Sequence, residues 1–225
     1  MLQELLQHDV ADWTKFGFEE IKLRTVRRVF HGQLASTPVH IKVFRADTIA
    51  AKAKKAMRTA KGEREVMHLT MAQKAGLPCV EPLAYGIAVD SSELNSFIVT
   101  RSVTGSDFAF PAPPKVAAAA GSLMRQAHDA GFEPLDLHQG NLLITDAGDP
   151  ILCDLTSLRH AGELSARKRA AGLAFFCNPI DAGPLDAVTR DFLRGYKASG
   201  RPMTATFDAE LARATRQLRA KSLKS

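Results

Sequence analysis

Asp136-Leu-His-Gln-Gly-Asn141 runs straight into the apolar segment Leu142-Leu-Ile144. After the turn-rich Thr145-Asp-Ala-Gly-Asp-Pro150, a second apolar segment, Ile151-Leu-Cys153, ends on Asp154. Two short apolar runs separated by an Asp/Gly/Pro cluster predict a β-hairpin. Asp136 and Asn141 then sit on the loop entering the first strand and Asp154 leaves the second, so three hard oxygen side chains converge on one end of the hairpin. Such a set suits Mg²⁺, which favours one or two carboxylates together with water and phosphate oxygens over an all-protein cage. Asp and Asn are also the commonest turn residues, so this segment asks for a second signal elsewhere in the chain.

That signal lies upstream. Val39-His-Ile-Lys42-Val-Phe44 alternates, which predicts a strand with Val39, Ile41 and Val43 on one face and His40, Lys42 and Phe44 on the other. A lysine on a β-branched strand calls for an anion to meet its ammonium. The stretch from Asp47 to Gly76 reads as mainly helical with a weak point at Gly62, and it presents Glu63 and Glu65 ahead of Val66, Leu69 and Ala72. Either carboxylate is placed to pair with Lys42.

Val39-His-Ile-Lys42, Glu65 followed by Leu69 and Ala75-Gly-Leu-Pro78, and His128-Asp-Ala-Gly131 leading into Asp136-Leu-His-Gln-Gly-Asn141-Leu-Leu-Ile together resemble the lipopolysaccharide kinase family. The likeness spans roughly residues 20 to 160. It implies an α+β, two-lobed protein-kinase-like fold, with a small β-rich N-terminal lobe and a reduced helical C-terminal lobe. The implied activity is an ATP- and Mg²⁺-dependent phosphotransfer to a sugar hydroxyl of a lipopolysaccharide-core-like glycolipid, as a step of lipopolysaccharide biosynthesis. By the same likeness Asp136 is the catalytic base, Lys42 the phosphate-contacting lysine and Glu65 its helix partner, with Glu63 the fallback. Asn141 and Asp154 are the metal ligands. Phe97-Ile-Val-Thr100 reads as a strand, and Arg101-Ser-Val-Thr-Gly105 after it as the hinge, so Arg101 and Val103 would meet the nucleotide base through their backbone. The lobes would be residues 1–101 and 102–225.

Some positions depart from the family pattern. The loop expected over the phosphates, Arg28-Val-Phe-His-Gly-Gln-Leu34, has a single glycine, which leaves fewer backbone N–H groups to cradle phosphate. His40 stands where related kinases carry a small alanine against the base. Asp154 is followed by Leu-Thr rather than Phe-Gly, and Pro134 precedes Asp136 by two. Two other functions fit the same chain. A RIO-like protein kinase would share the five catalytic residues and differ in its acceptor. A non-catalytic pseudokinase or basic binding module would keep the fold without turnover, and the glycine-poor loop and His40 favour that alternative. His128, Asp136 and His138 match no zinc spacing, and His128 is expected to brace the catalytic loop.

At 225 residues with 45% hydrophobic content the chain can build a sizeable core. Cys79, Cys153 and Cys177 are odd in number and widely spaced, which argues for buried thiols over a disulfide framework. The N-terminus lacks a basic flank and no apolar run approaches the roughly 18 residues of a membrane span, so a cytoplasmic location is expected, in part peripheral at the membrane's inner face. Pro111-Ala-Pro-Pro114 should precede a central helix over 115–130 whose Val116, Ala119, Ala120, Leu123, Met124 and Ala127 are core. Helical character recurs near 163–176, 186–197 and 207–222. The net charge is +6, with Lys52, Lys54, Lys55, Arg58, Lys61 and Arg64 crowding one segment and Arg201, Arg213, Arg216, Arg219, Lys221 and Lys224 enriching the C-terminus. Such segments attract an anionic saccharide, an anionic lipid surface or nucleic acid. The lack of interleaved aromatics argues against base stacking.

Overall fold

The structure, a computed structural model, describes residues 2–24, 27–45, 60–87, 94–134, 138–156, 158–177, 189–200 and 202–222. The chain divides into two compact units. The first comprises Met1–Met71 and Val80–Val103, the second Ala72–Cys79 and Thr104–Ser225.

The first unit is built on β1 (Glu19–Arg24), β2 (Arg27–Leu34), β3 (Thr37–Arg45), β4 (Pro82–Ile87) and β5 (Leu94–Arg101). They form an antiparallel sheet in the order β1-β2-β3-β5-β4. Alternation sends Val39, Ile41 and Val43 into a core with Phe30, Phe97 and Val99. Leu5 of α1 (Leu2–Leu5) and Val10 and Trp13 of a 3₁₀ segment (Val10–Phe16) complete that core. Trp13 is fully buried, with its ring 5.1 Å from that of Phe30. The segment Arg28–Leu34, expected to be a phosphate-covering loop, is strand β2 instead. Its glycine answers a packing need: a Cβ on Gly32 would run into the Phe18 ring. The chain turns at Ala35-Ser36, both at positive φ.

Helix α2 (Lys61–Lys74) starts in the first unit, and its last turn belongs to the second. Gly62, expected as a weak point, lies in its first turn, where its N–H donates to Ser96 Oγ at 3.2 Å. Residues 46–59, and with them Lys52, Lys54, Lys55 and Arg58, lie outside the described residues.

In the second unit α3 (Pro114–Asp129) opens with proline in its first turn, where the missing N–H costs nothing. Its buried face is Ala117, Ala120, Gly121, Leu123, Met124, Arg125, Ala127 and His128, while Val116 and Ala119, expected in the core, are only half-buried. The strands are β6 (Gly105–Asp107), β7 (Phe132–Pro134), β8 (Leu142–Thr145), β9 (Pro150–Leu152) and β10 (Leu158–His160). They pair as a three-stranded β6-β8-β9 sheet and a β10-β7 ribbon. Helices α4 (Ala166–Phe176), α5 (Arg190–Ala198) and α6 (Thr206–Ser222) follow, with α5 on α3 and α6 on α4. The first contact is a close one. A Cβ on Gly121 would strike the Phe192 carbonyl, and one on Gly195 the Ala118 carbonyl, so glycine is needed on both helices.

Cys177 is buried, whereas Cys79 and Cys153 are half-buried, and all three are free thiols. Burial raises the Cys79 thiol to about 11, which keeps it protonated and unreactive near neutrality. On α6, Arg213, Arg216 and Arg219 are exposed, with Arg213 4.0 Å from Glu210. Arg201, Lys224 and the Lys221 side chain lie outside the described residues. Among the described residues no helix is long and apolar enough to cross a membrane.

Candidate active site

Lys42 sits at the middle of β3, in register with Val29 of β2 on one side and Ile98 of β5 on the other. Because its strand neighbours Ile41 and Val43 point into the core, Lys42 projects from the opposite face. There its Nζ donates to Glu65 Oε1 at 2.5 Å. The side chains are 13% and 1% exposed. Glu63, two residues earlier on α2, is partly exposed, and the carboxylate that meets the ammonium is that of Glu65. A carboxylate this buried is held only by a partner, and the desolvation cost of such a pair is large enough that it is weak evidence for stability.

His40 and His31 lie on the same sheet face. They are directly opposed across β2 and β3, with ring centroids 5.0 Å apart. His40 Nδ1 is 3.1 Å from Ser102 Oγ. Burial, and then the neighbouring His31 and Lys42, lower the His40 pKa below its ordinary value, so the ring is neutral near pH 7. The segment leaving β5 is tied down at two points: the Arg101 N–H donates to the Glu81 carbonyl and the Ser102 N–H to the Pro38 carbonyl, each at 2.9 Å. The exposed Arg101 side chain is engaged with Glu81 at 2.6 Å. Val103 differs, since its backbone has no hydrogen-bond partner among the described residues.

In the second unit the expected hairpin is present, with Leu142 opposite Leu152 and Leu143 opposite Ile151. A single 3₁₀ turn, Gln139–Asn141, leads into it. Asn141 is buried. Its Nδ2 donates to the Asp154 carbonyl at 2.7 Å, and its Oδ1 accepts from the His138 N–H at 3.2 Å. The Cys153 N–H donates to the Asn141 carbonyl at 2.9 Å. These bonds hold the loops before β8 and after β9 together at one end of the hairpin. The Asp154 carboxylate accepts from Thr156 Oγ1 at 2.9 Å. Asp136 lies outside the described residues.

The donor chemistry fits Mg²⁺. Asn141 Oδ1 retains a second lone pair beyond its bond to His138, and Asp154 adds a carboxylate. Among the described residues no three His, Cys, Asp or Glu side chains gather. Thr156 carried a local signal in the sequence, since a hydroxyl two residues after an aspartate commonly closes a side-chain turn; Ser102 lay in the expected hinge segment, but nothing local pointed to its bond with His40. His128, expected to brace the catalytic loop, pairs with Tyr196 of α5 at 2.7 Å, and residues 135–137 of that loop lie outside the described residues.

No protein-family model matches the sequence, and no curated protein matches it. Solved structures do match in shape. WaaP in complex with acyl carrier protein aligns with a TM-score of 0.58 at 19% identity, covering 99% of this chain and 95% of that one. An aminoglycoside-3'-phosphotransferase of type VIII aligns at 0.59 and 15% identity, covering 96% and 97%. WbdD aligns at 0.54 and 14% identity over 88% of this chain and half of its own. At such identities the likeness shows the fold: a protein-kinase-like α+β architecture, with a β-rich N-terminal sheet and a helical C-terminal region.

Proposed function

We propose that the protein is a phosphotransferase that moves the γ-phosphoryl group of Mg²⁺-bound ATP to a hydroxyl group. The buried Lys42–Glu65 pair carries this reading. An ammonium held off the solvent by a sealed carboxylate is fixed in direction, and a preorganised cation is worth most where phosphate charge develops. Lys42 contacts the phosphates, Glu65 aims it, and Asn141 and Asp154 hold the metal. When bound, Mg²⁺ offsets the negative charge of the phosphate oxygens. Asp136 takes the acceptor proton as the hydroxyl oxygen bonds to phosphorus and the bond to the leaving ADP oxygen breaks. Arg101 and Val103 flank the base, and of the two Val103 has the open backbone.

The acceptor we propose is a sugar hydroxyl of a lipopolysaccharide-core-like glycolipid, on the strength of the sequence resemblance alone. The exposed arginines of α6 supply a surface for an anionic glycolipid at a cytoplasmic membrane face.

Thermal unfolding of the full chain with ATP and Mg²⁺, together and singly, tests this reading, because binding to the folded state alone raises apparent stability. The expected result is a Mg²⁺-dependent rise that Asp154→Ala abolishes. Asp136→Ala should keep the rise and lose phosphotransfer to core saccharides. No rise at millimolar nucleotide would replace the enzyme with a non-catalytic binding module.

A further inference from the structure

Two imidazoles share the strand face that bears Lys42. His40 precedes Lys42 by two residues, so it points the same way about 7 Å along β3. His31 stands opposite it on β2. A cross-strand histidine pair is an ordinary feature of a sheet, but among the described residues His40 has a directional constraint that His31 lacks. Its Nδ1 is engaged by Ser102, and the Ser102 N–H is itself bonded to Pro38 across the strand end. The ring is therefore fixed in the plane. Its Nε2 has no hydrogen-bond partner among the described residues, and it is not one of the polar atoms sealed from solvent without a partner. One residue past Ser102, the Val103 backbone is likewise unpartnered among the described residues.

A nucleoside triphosphate whose phosphates meet Lys42 places its base some 7 Å or more away, about one side-chain repeat along the strand. On this sheet the repeats on either side of Lys42 are His40 and Phe44, and since Phe44 is buried the accessible one is His40. A neutral imidazole with one nitrogen anchored offers a single hydrogen-bonding site of fixed direction, and its flat face offers a stacking surface. Val103 adds a backbone donor and acceptor next to it. A site built to hydrogen-bond one pattern of base-edge groups rejects a base that leaves those groups unpaired. From this juxtaposition we infer that His40, held by Ser102, selects the nucleobase of the triphosphate, with His31 backing the ring. The inference rests on the phosphotransferase reading and names a residue that sets its nucleotide choice.

The test is the stabilisation of the full chain by Mg-ATP, Mg-GTP, Mg-CTP and magnesium tripolyphosphate, in wild type, His40→Ala and Ser102→Ala. Tripolyphosphate reports the phosphate contacts without a base. Wild type should rank the three nucleotides with about tenfold or more in apparent affinity between best and worst, the size expected from one hydrogen bond made or lost in a partly buried site. His40→Ala should compress that ranking to within about threefold, weakening tripolyphosphate far less. Ser102→Ala, which leaves both rings in place, should fall between, and it carries the test if His40→Ala does not fold. An unchanged ranking in both variants, or no ranking in a wild type that binds in a Lys42-dependent manner, overturns the role of His40 and leaves the phosphotransferase intact. Failure of every triphosphate and of tripolyphosphate to bind wild type overturns both.

Discussion

Lys42–Glu65 in the first unit and His128–Tyr196 in the second are both largely buried polar pairs, and they differ in charge. The first is ionic, with an ammonium and a carboxylate 2.5 Å apart. In the second, burial drives the His128 ring down to about 3, against the ordinary 6.5, with the Arg169 charge adding to the effect. The imidazole is therefore neutral across the physiological range, and Tyr196, raised by burial to about 12, keeps its proton. Charge lies close by without forming part of the pair: the buried Arg125 sits 5.6 Å over the Tyr196 ring, Arg169 hydrogen-bonds the Tyr196 hydroxyl, and both arginines engage the exposed Asp129. A fold that only needed a polar anchor has a cheap solution in the neutral pair. The ionic one carries a desolvation cost that a pair of apolar residues would avoid, which is the physical case for a ligand that needs the ammonium.

The largest effect should come from separating the two members of the ionic pair. Lys42→Ala leaves the Glu65 carboxylate buried without its cation and should cost about 3–5 kcal/mol in urea unfolding. Phosphotransfer should fall on the order of 100-fold or more. The informative variant is the double replacement Lys42→Met with Glu65→Leu. If the pair exists for function, the double variant recovers most of the stability and none of the activity. Recovery of turnover along with stability would remove Lys42 and Glu65 from the chemistry and leave the pair a structural feature like the other.

Acid should separate the two regions next. The folded-state pKa of His128 lies below its unfolded value, so between pH 6.5 and about 3 the unfolded chain holds a proton that the folded chain does not. Stability should be constant from this source above pH 6.5 and decline as the pH falls toward 3, by on the order of a few kcal/mol. His128→Asn, which cannot take up that proton, should flatten the decline relative to wild type when unfolding is followed in urea at stepped pH. An equal slope in the variant would mean that other groups dominate acid unfolding.

How far these regions could be read in the sequence depends on the range of the interaction. The hairpin from Leu142 to Leu152 was legible because two apolar runs and the turn between them are contiguous, and β3 because Val39, Ile41 and Val43 alternate with polar positions. Lys42 and Glu65 are 23 residues apart, so residue type suggested the pairing and only tertiary structure distinguishes Glu65 from Glu63. The bonds from His40 to Ser102 and from His128 to Tyr196 span 62 and 68 residues, and no local pattern announces either. Gly32 shows the opposite difficulty. Glycine has good reasons to occur in a loop and good reasons to occur in a strand, and what decided between them was the ring of Phe18, fourteen positions earlier. The turn at Ala35-Ser36 was equally silent, since neither residue type favours positive φ.

The smallest effect sharpens the comparison most directly. Tyr196→Phe deletes one hydroxyl and keeps the ring, so the stacking of residue 196 on Phe207 is preserved. What is lost is the partner of His128 Nδ1 together with the hydroxyl's bond to Arg169, and because His128 Nε2 is already buried without a partner among the described residues, the imidazole would then have no hydrogen bond from the described residues at either nitrogen. An unsatisfied buried polar atom of this kind costs about 1–2 kcal/mol. The variant should therefore unfold at a lower urea concentration while its Mg-ATP stabilisation and its turnover stay at the wild-type level. It keeps the acid slope, because His128 is still sealed and still neutral. A drop in turnover of tenfold or more with stability unchanged would put the network in the service of the hairpin residues, and the division between a charged pair kept for chemistry and a neutral pair kept for the fold would no longer hold.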